Sequence, residues 1–359
     1  MVNKYGRRLA GDELAAHNAV LYNMDDYIDL ATLAAELAHA KKVAIFTHVR
    51  PDADAVGCQA AGSLLLAGRG IASTIVHMGE LPESLAFLSA LAPSPAVHFS
   101  PAWAREHLES FDCLLVVDTS AREQLEPAME FLAERADKII AMDHHLVGDL
   151  PCRGVFRDTT AAACVEIMAE LFRILDVPID ANAATPLLAG LVADTGWFRF
   201  DNVTTRSHEL AARLLRAGAS AADIYSRLAQ RESRAKLELI KRALQSIRWF
   251  NDDAIAVTSI SQADMASCCA QPWQTEGLVD YPLMVANVVV SVFLAQTAPG
   301  KIRASLRSKR DVDVSKVSAR FGGGGHARAA GCRLDGSLET ACEALVRGIR
   351  EQWNRAAPA

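Results

Sequence analysis

Asp143-His144-His145 directly follows the apolar run Lys138 to Met142. With ten histidines in 359 residues, such a triplet is expected about 0.02 times by chance. Two imidazoles beside a carboxylate at a strand end are poorly explained as a core histidine satisfied by one hydrogen bond. A second group precedes it: His48, Asp52 and Asp54 fall within seven residues of Thr47-His48-Val49-Arg50-Pro51-Asp52-Ala53-Asp54. One imidazole and two carboxylates suit a hard divalent ion such as Mn2+ or Mg2+ better than a soft metal. Taken alone, Asp52 and Asp54 read equally well as a helix N-cap with an acidic first turn, and Asp311/Asp313 shows how readily a D-x-D pair arises in a basic turn. Two further carboxylates stand out. Asp118 ends the apolar run Cys113 to Val117, where a cap or an Asx-turn is the plainer reading. Asp194 ends an apolar helical stretch, where its charge opposes the helix dipole and calls for a compensating cation.

A different chemistry is written near the carboxyl end. Gly322-Gly323-Gly324-Gly325-His326 lies in the most basic stretch of the chain, with Arg328 nearby and Arg307 upstream. From Lys301 to Arg333 nine basic residues face two aspartates, whereas the whole chain carries a net charge of −6. A glycine run lets backbone N–H groups close around an anion, and Arg307 and His326 add charged donors. The alternative is a flexible surface turn. The acidic total argues against a protein that coats long nucleic acid.

Elements that could position these groups are visible as a pattern. Val43–Phe46, Ile71–Val76, Cys113–Val117 and Lys138–Ala141 read as strands, alternating with helical stretches at Ile28–Ala40, Val56–Ala67, Pro82–Leu91 and Cys164–Leu175. Such alternation predicts a mostly parallel sheet covered by helices on both faces, with ligands beyond the carboxyl ends of its strands. Residues 206–248 carry helical periodicity and read as a linker. Beyond them Ala254–Ile260, Val288–Ala295 and Lys301–Leu306 read as strands, the last two joined by a turn over Gln296–Gly300, and Glu339–Trp353 as a closing helix. The expected organisation is an extension (1–28), a catalytic α/β domain (29–205), the linker (206–248) and a smaller α/β domain (249–359). Length, with 51% hydrophobic and 22% charged residues, is that of a two-domain globular chain. The longest apolar run is too short to span a membrane, no signal peptide is evident, and eight cysteines without C-x-x-C spacing read as reduced thiols. A cytoplasmic protein is expected.

Taken together, the set resembles the DHH phosphoesterase superfamily. His48-x3-Asp52-x-Asp54 matches its first motif, Asp118 its second, Asp143-His144-His145 its third and Asp194 its fourth. The Gly322 to Gly331 segment resembles the glycine-rich motif of the DHH-associated second domain. Size, charge and the F-G-G-G-G-H form are most similar to the bacterial oligoribonuclease (nanoRNase)/pAp-phosphatase branch. Two positions depart from that branch: Ala53 stands where Gly is common, which requires a negative φ there, and Cys58 stands where Ser is common, placing a thiol beside the site.

The resemblance implies two divalent metal ions, Mn2+ with Mg2+ or Co2+ as alternatives, held by His48, Asp52, Asp54, Asp118, His144 and Asp194, with Asp118 as the bridge. It implies His145 as the group facing the phosphoryl centre and Asp143 as the carboxylate that orients an imidazole. Arg307, Gly322, Gly323, Gly324, Gly325, His326 and Arg328 would grip the substrate, the second domain closing over it. The implied substrates are short oligonucleotides and 3′-phosphoadenosine 5′-phosphate (pAp), not long duplexes or membranes, and a homodimer fits the family. Cyclic or linear dinucleotide turnover and a catalytically silent nucleotide sensor stand as alternatives. A dinucleotide-cofactor oxidoreductase lacks its G-x-G-x-x-G after the first strand.

Overall fold

The computed structural model describes residues 27–309 and 312–356. The expected extension therefore lies outside the described residues except for Tyr27 and Ile28, and so do Arg310 and Asp311. The chain divides into two compact units between Arg231 and Glu232, inside the segment that reads as a linker.

In the first unit α1 (Leu30–His39) leads into β1 (Lys42–Phe46), α2 (Ala53–Gly68) and β2 (Ala72–His77). β3 (Val97–His98), β4 (Cys113–Val117), β5 (Ile139–Asp143) and β6 (Gly154–Arg157) complete the sheet. All six strands are parallel, in the order β3-β2-β1-β4-β5-β6. Near-continuous apolar strands are what burial on both faces requires. Along β1, Val43 and Ile45 enter one core, with α2, α3 (Cys164–Ile174) and α4 (Ala181–Asp194). Ala44 and Phe46 enter the other, with Leu108, Phe111, Leu125 and Leu132. The order reverses between β1 and β4, and the crevice beyond their carboxyl ends is where ligands sit in such sheets. His48 and Asp118 lie there.

The helices α2 and α4 pack closely because Gly57 permits it: a Cβ at that position would lie 2.6 Å from the Pro186 carbonyl oxygen. Three segments of this unit differ from the sequence expectation. Pro82–Leu91 forms a short 3-10 turn at Glu83–Leu85 followed by one α-turn at Ala86–Ser89. The edge strands β3 and β6, two and four residues long, are too short to show a period of two. The helices α5 (Thr205–Arg216) and α6 (Ala221–Ala229) belong to the first unit, and α7 (Arg234–Gln245) to the second.

In the second unit β7 (Arg248–Phe250), β8 (Ile255–Ile260), β9 (Val290–Ala298), β10 (Lys301–Ser308), β11 (Gly324–His326) and β12 (Ala329–Asp335) form one sheet. Its order is β11-β12-β10-β9-β8-β7, antiparallel except for the β8–β9 pair. The β9–β10 turn is tighter than expected, because β9 runs on to Ala298 and Gly300 adopts a φ of 70°. α8 (Val314–Ala319) and α9 (Leu338–Ala356) cover the face that carries Ile302, Ala304 and Leu306. Among the described residues no helix is long and apolar enough to cross a membrane.

Candidate metal centre and anion-binding strand

His48 leaves β1 through a Pro-containing turn that ends in the N-cap of α2. Asp52 is that cap: its Oδ1 accepts from the backbone N–H groups of Asp54 and Ala55, each at 3.0 Å. Asp54, in the first turn, is fully buried and would be costly there without partners. It finds them at another helix terminus. The first amides of α3, Cys164 N–H and Val165 N–H, donate to its two oxygens at 2.5 and 3.0 Å. The helix α4 presses on it from the far side, at a position where only glycine fits: a Cβ on Gly190 would lie 2.8 Å from Asp54 Oδ1.

Asp118 sits one residue past β4 with a φ of 61°, its N–H held by the Met142 carbonyl at 3.0 Å. That left-handed conformation turns its carboxylate into the crevice. His48 Nε2 stands 3.6 Å from Asp118 Oδ2. His144 Nε2 lies 3.4 Å from Asp118 Oδ1, 3.4 Å from Asp194 Oδ2 and 3.9 Å from Asp54 Oδ2. The structure thus brings together all six side chains that the motifs offer as ligands. In the sets His48/Asp52/Asp118, Asp54/His144/Asp194 and Asp118/His144/His145, the ligand atoms lie within 4.8 Å of one another.

Whether these residues fit a cation is decided by atoms that lack partners. Asp118 Oδ1 and His144 Nε2 are both buried, and neither makes a hydrogen bond although they face each other at 3.4 Å. Buried polar atoms are rarely left so, and a lone-pair oxygen opposite an imidazole nitrogen is the donor set of a divalent ion. The other ring nitrogen of His144 is committed: Nδ1 contacts the Ala161 carbonyl oxygen at 3.3 Å. A carbonyl can only accept, so Nδ1 carries a proton, and in the neutral ring that a cation would bind, Nε2 is the lone-pair nitrogen.

Electrostatics tell the same story. Burial together with Asp118 and Asp194 pushes the Asp54 carboxyl well above the usual range. Burial and Asp118 push Asp194 up to about 7. Burial alone would raise Asp118 too, but His144 and His48 outweigh it and hold it at about 2. For His144 burial is outweighed by Asp118, Asp54 and Asp194, and its pKa rises to about 10. Without a cation the cluster holds itself together with protons.

Asp143 faces a different partner. Its Oδ1 accepts from His145 N–H at 3.0 Å and contacts His145 Nδ1 at 2.8 Å. Its other oxygen accepts from the Ser120 hydroxyl, which in turn accepts from Arg157 Nη2 at 2.7 Å. Fixed in this way through Nδ1, the half-exposed His145 ring keeps Nε2 as the nitrogen that Asp143 does not engage.

Sequence reasoning missed the groups that hold these ligands. Ser120, Arg157 and Asn202 carry no motif. The Asn202 amide donates to the Ala162 and Asp194 carbonyls at 3.1 and 3.0 Å, tying the loop that orients His144 to the end of α4. Buried Glu166 anchors the same loop, accepting from Ala162 N–H and Ser207 and pairing with Arg206.

In the second unit, Gly324–His326 forms the edge strand β11, not an open loop. Gly322 and Gly325 need glycine for their φ of 68° and 133°. Gly323 needs it for packing, since a Cβ would meet Cys332 Cβ at 2.5 Å. Gly324 has no such need: a Cβ there would meet nothing within 4 Å. Pairing places Arg307 and His326 each opposite Ala329, in one rank across three strands and on one face. Arg307 Nε lies 3.6 Å from Asp280 Oδ1. Arg328 is used differently, donating to the Val312 carbonyl at 3.1 Å.

Residues 42–191 match the DHH family, N-terminal domain, and residues 270–352 match the DHHA1 domain. A bifunctional oligoribonuclease and PAP phosphatase, NrnA of Thermus thermophilus, is 31% identical over 335 residues, spanning 92% of this chain and 96% of that protein. The chain belongs to the DHH family. Among solved structures, an exopolyphosphatase-related protein from Bacteroides fragilis has a TM-score of 0.76 at 22% identity, over 90% of this chain and 95% of its own. Exonuclease RecJ bound to manganese has a TM-score of 0.51 at 17% identity, over 92% and 96%. Both share the fold.

For a DHH chain the two departures noted in the first motif are resolved by geometry. Ala53 opens α2 without a positive φ and is sterically ordinary. Cys58 is fully buried, 3.9 Å from Asp54 Oδ1, and burial with the Cys164 thiol beside it pushes its pKa well up. It is therefore a packed thiol and not a reactive thiolate.

Proposed function

We propose that this DHH protein is a metal-dependent phosphoesterase that hydrolyses short oligonucleotides to mononucleotides and also cleaves pAp. The observation that carries this reading is the buried, mutually unpartnered pair Asp118 Oδ1 and His144 Nε2, ringed by Asp54, Asp194 and His48. The likeness to an oligoribonuclease and PAP phosphatase over nearly the whole chain supports the substrate class. His48, Asp52, Asp54, Asp118, His144 and Asp194 would hold two divalent ions, Mn2+ by preference, with Asp118 shared between them. Such ions supply an activated water and neutralise charge at phosphorus.

The protein's own residues do the rest. Asp54 is held rigid by the α3 amides, so its position costs no rearrangement when charge develops. His145, oriented by Asp143, presents Nε2 to the phosphoryl group, where it stabilises the developing charge or gives a proton to the leaving oxygen. Arg307, His326 and the Gly324–Gly325 segment bind a phosphate of the substrate away from the scissile bond; Gly322 and Gly323 only shape this segment, because their N–H groups donate to the Ala319 and Ser318 carbonyls at 3.1 and 3.0 Å. Arg328 serves this site by fixing the segment at Val312. All eight cysteines are free thiols, which supports a cytoplasmic setting; a homodimer is part of the same reading.

The test is hydrolysis of a di- to pentanucleotide series, pAp and a cyclic dinucleotide by metal-stripped protein, with and without Mn2+. Release of mononucleotides from short oligomers only when Mn2+ is present is the expected result. Preference for the cyclic substrate would replace the substrate assignment, and binding without turnover would make the protein a nucleotide sensor.

A further inference from the structure

The β10–β12 register carries a second basic feature that the metal centre does not use. Arg303 lies directly opposite Arg333, with Lys301 opposite Asp335 on one side and Ser305 opposite Gly331 on the other. Alternate residues Ile302, Ala304 and Leu306 are buried under the helices, so Arg303, Ser305 and Arg307 share the opposite face with Ala329, Gly331 and Arg333. Directly opposed residues on neighbouring strands have Cβ atoms about 4.5–5.5 Å apart, and like charges there are destabilising. The neighbouring rank shows the ordinary solution, a Lys301–Asp335 ion pair at 2.7 Å. Arg303 and Arg333 have no carboxylate partner among the described residues; Arg303 donates only to the Thr275 hydroxyl, at 2.6 Å. Both side chains are exposed.

Between this pair and the Arg307/His326 rank lies a floor with almost no side chains. Ser305, Gly331 and Gly324 form one rank, and a Cβ on Gly331 would meet only the Ala304 carbonyl at 3.1 Å. From Arg307 to Arg303 is four residues, about 14 Å along an antiparallel strand.

We propose that Arg303 and Arg333 form a second phosphate site, which takes the continuing backbone of an oligonucleotide whose nearer phosphate is held at Arg307 and His326. Guanidinium groups bind phosphate through paired N–H donors, and the bare floor leaves room for the sugar-phosphate chain between the two sites. The inference rests on the function proposed above and divides its substrates. pAp has one phosphate to be cleaved and one to be held, and none left to reach the pair. An oligonucleotide has more.

The experiment uses the full chain with Arg333→Gln, Arg303→Gln and Arg333→Lys, checked by melting temperature, and measures kcat and KM with Mn2+ for pAp and for 5′-phosphorylated di- to pentanucleotides. Each Gln variant should raise KM for the tetra- and pentanucleotide roughly tenfold while changing that for pAp less than about twofold. The salt slope of pentanucleotide binding should fall by about 0.7 for each arginine removed, and Arg333→Lys should keep most of the affinity. Arg333, which makes no bond to Thr275, separates binding from any folding effect of Arg303. Unchanged pentanucleotide KM, or an equal rise for pAp, overturns the site. If the wild-type protein cleaves none of these substrates, the proposed function fails. Fluorescence anisotropy of a pentanucleotide with metal-stripped protein then decides the site by itself: weaker binding by both Gln variants supports it, and equal binding overturns it.

Discussion

The choice of substitution at Asp118 shows how geometry changes an experiment. Removing the carboxylate with Ala confounds two effects, because Asp118 has a φ of 61°. An L-residue with a plain Cβ costs about 1–2 kcal/mol in that region, whereas Asn adopts it readily. Asp118→Asn is also isosteric, so it removes one charge from a group touched by His144 at 3.4 Å and His48 at 3.6 Å and leaves the backbone alone. If Asp118 is shared by two ions, losing its charge removes several kcal/mol of transition-state stabilisation, and kcat should fall about 10³-fold. Bound manganese, measured by elemental analysis after gel filtration, should fall in parallel. In the metal-free protein Asp118→Ala should melt about 2–8 °C below Asp118→Asn, which is the left-handed penalty spread over a domain of this size. Wild-type turnover and manganese content in Asp118→Asn would refute the bridging role. Equal melting of the Ala and Asn variants would refute the backbone argument.

Four other outcomes follow from the geometry. Gly190→Ala adds a good helix former, a gain of about 1 kcal/mol, yet pushes on Asp54 from 2.8 Å; calorimetry should show Mn2+ affinity reduced about 10–100-fold, and unchanged affinity would mean that Asp54 is not held from that side. Asn202→Ala cuts both ties between the Ala162 loop and the Asp194 helix end; it should weaken Mn2+ binding about tenfold while kcat at saturating metal recovers, and a loss that metal cannot restore would count against a positioning role. Gly324→Ala should leave stability within about 0.5 kcal/mol yet raise KM for every substrate, while Gly323→Ala should cost about 1–3 kcal/mol through overpacking; a wild-type KM for Gly324→Ala would remove that amide from substrate binding. Finally, Asp194 at about 7 and His144 at about 10 hold protons that a cation must displace. Lower pH favours the protonated, metal-free form, so Mn2+ affinity should weaken by up to about tenfold per proton released for each pH unit between about pH 8 and about pH 6. Titration heats that do not vary with the buffer's ionisation enthalpy would contradict this.

What the sequence could show was set by which groups have a residue type. His48, Asp118 and Asp143 stand at or just past the ends of apolar strands, and a doubly covered parallel sheet puts strand ends in one crevice, so their convergence could be argued without coordinates. The groups that hold them could not. The Ala161 carbonyl that fixes the His144 tautomer and the two amides that seat Asp54 belong to residues whose side chains take no part. β11, two glycines and the histidine that follows them, has no period to read, so its role as an edge strand and the rank it shares with Arg307 depend on the partner strand.

The most instructive case is Asp52, for which a helix cap and a metal ligand stood as competing readings. The structure shows that they do not compete. The α2 amides take Oδ1 and leave Oδ2 out of the cap, while the carboxylate remains within 4.8 Å of ligand atoms on His48 and Asp118. A cap fixes the side chain before any ion arrives, so less rotamer entropy is lost on binding. Asp54 follows the same logic on a neighbouring helix. In this sheet the plain structural explanation of an aspartate is part of what makes it a good ligand, and weighing one against the other undercounts both.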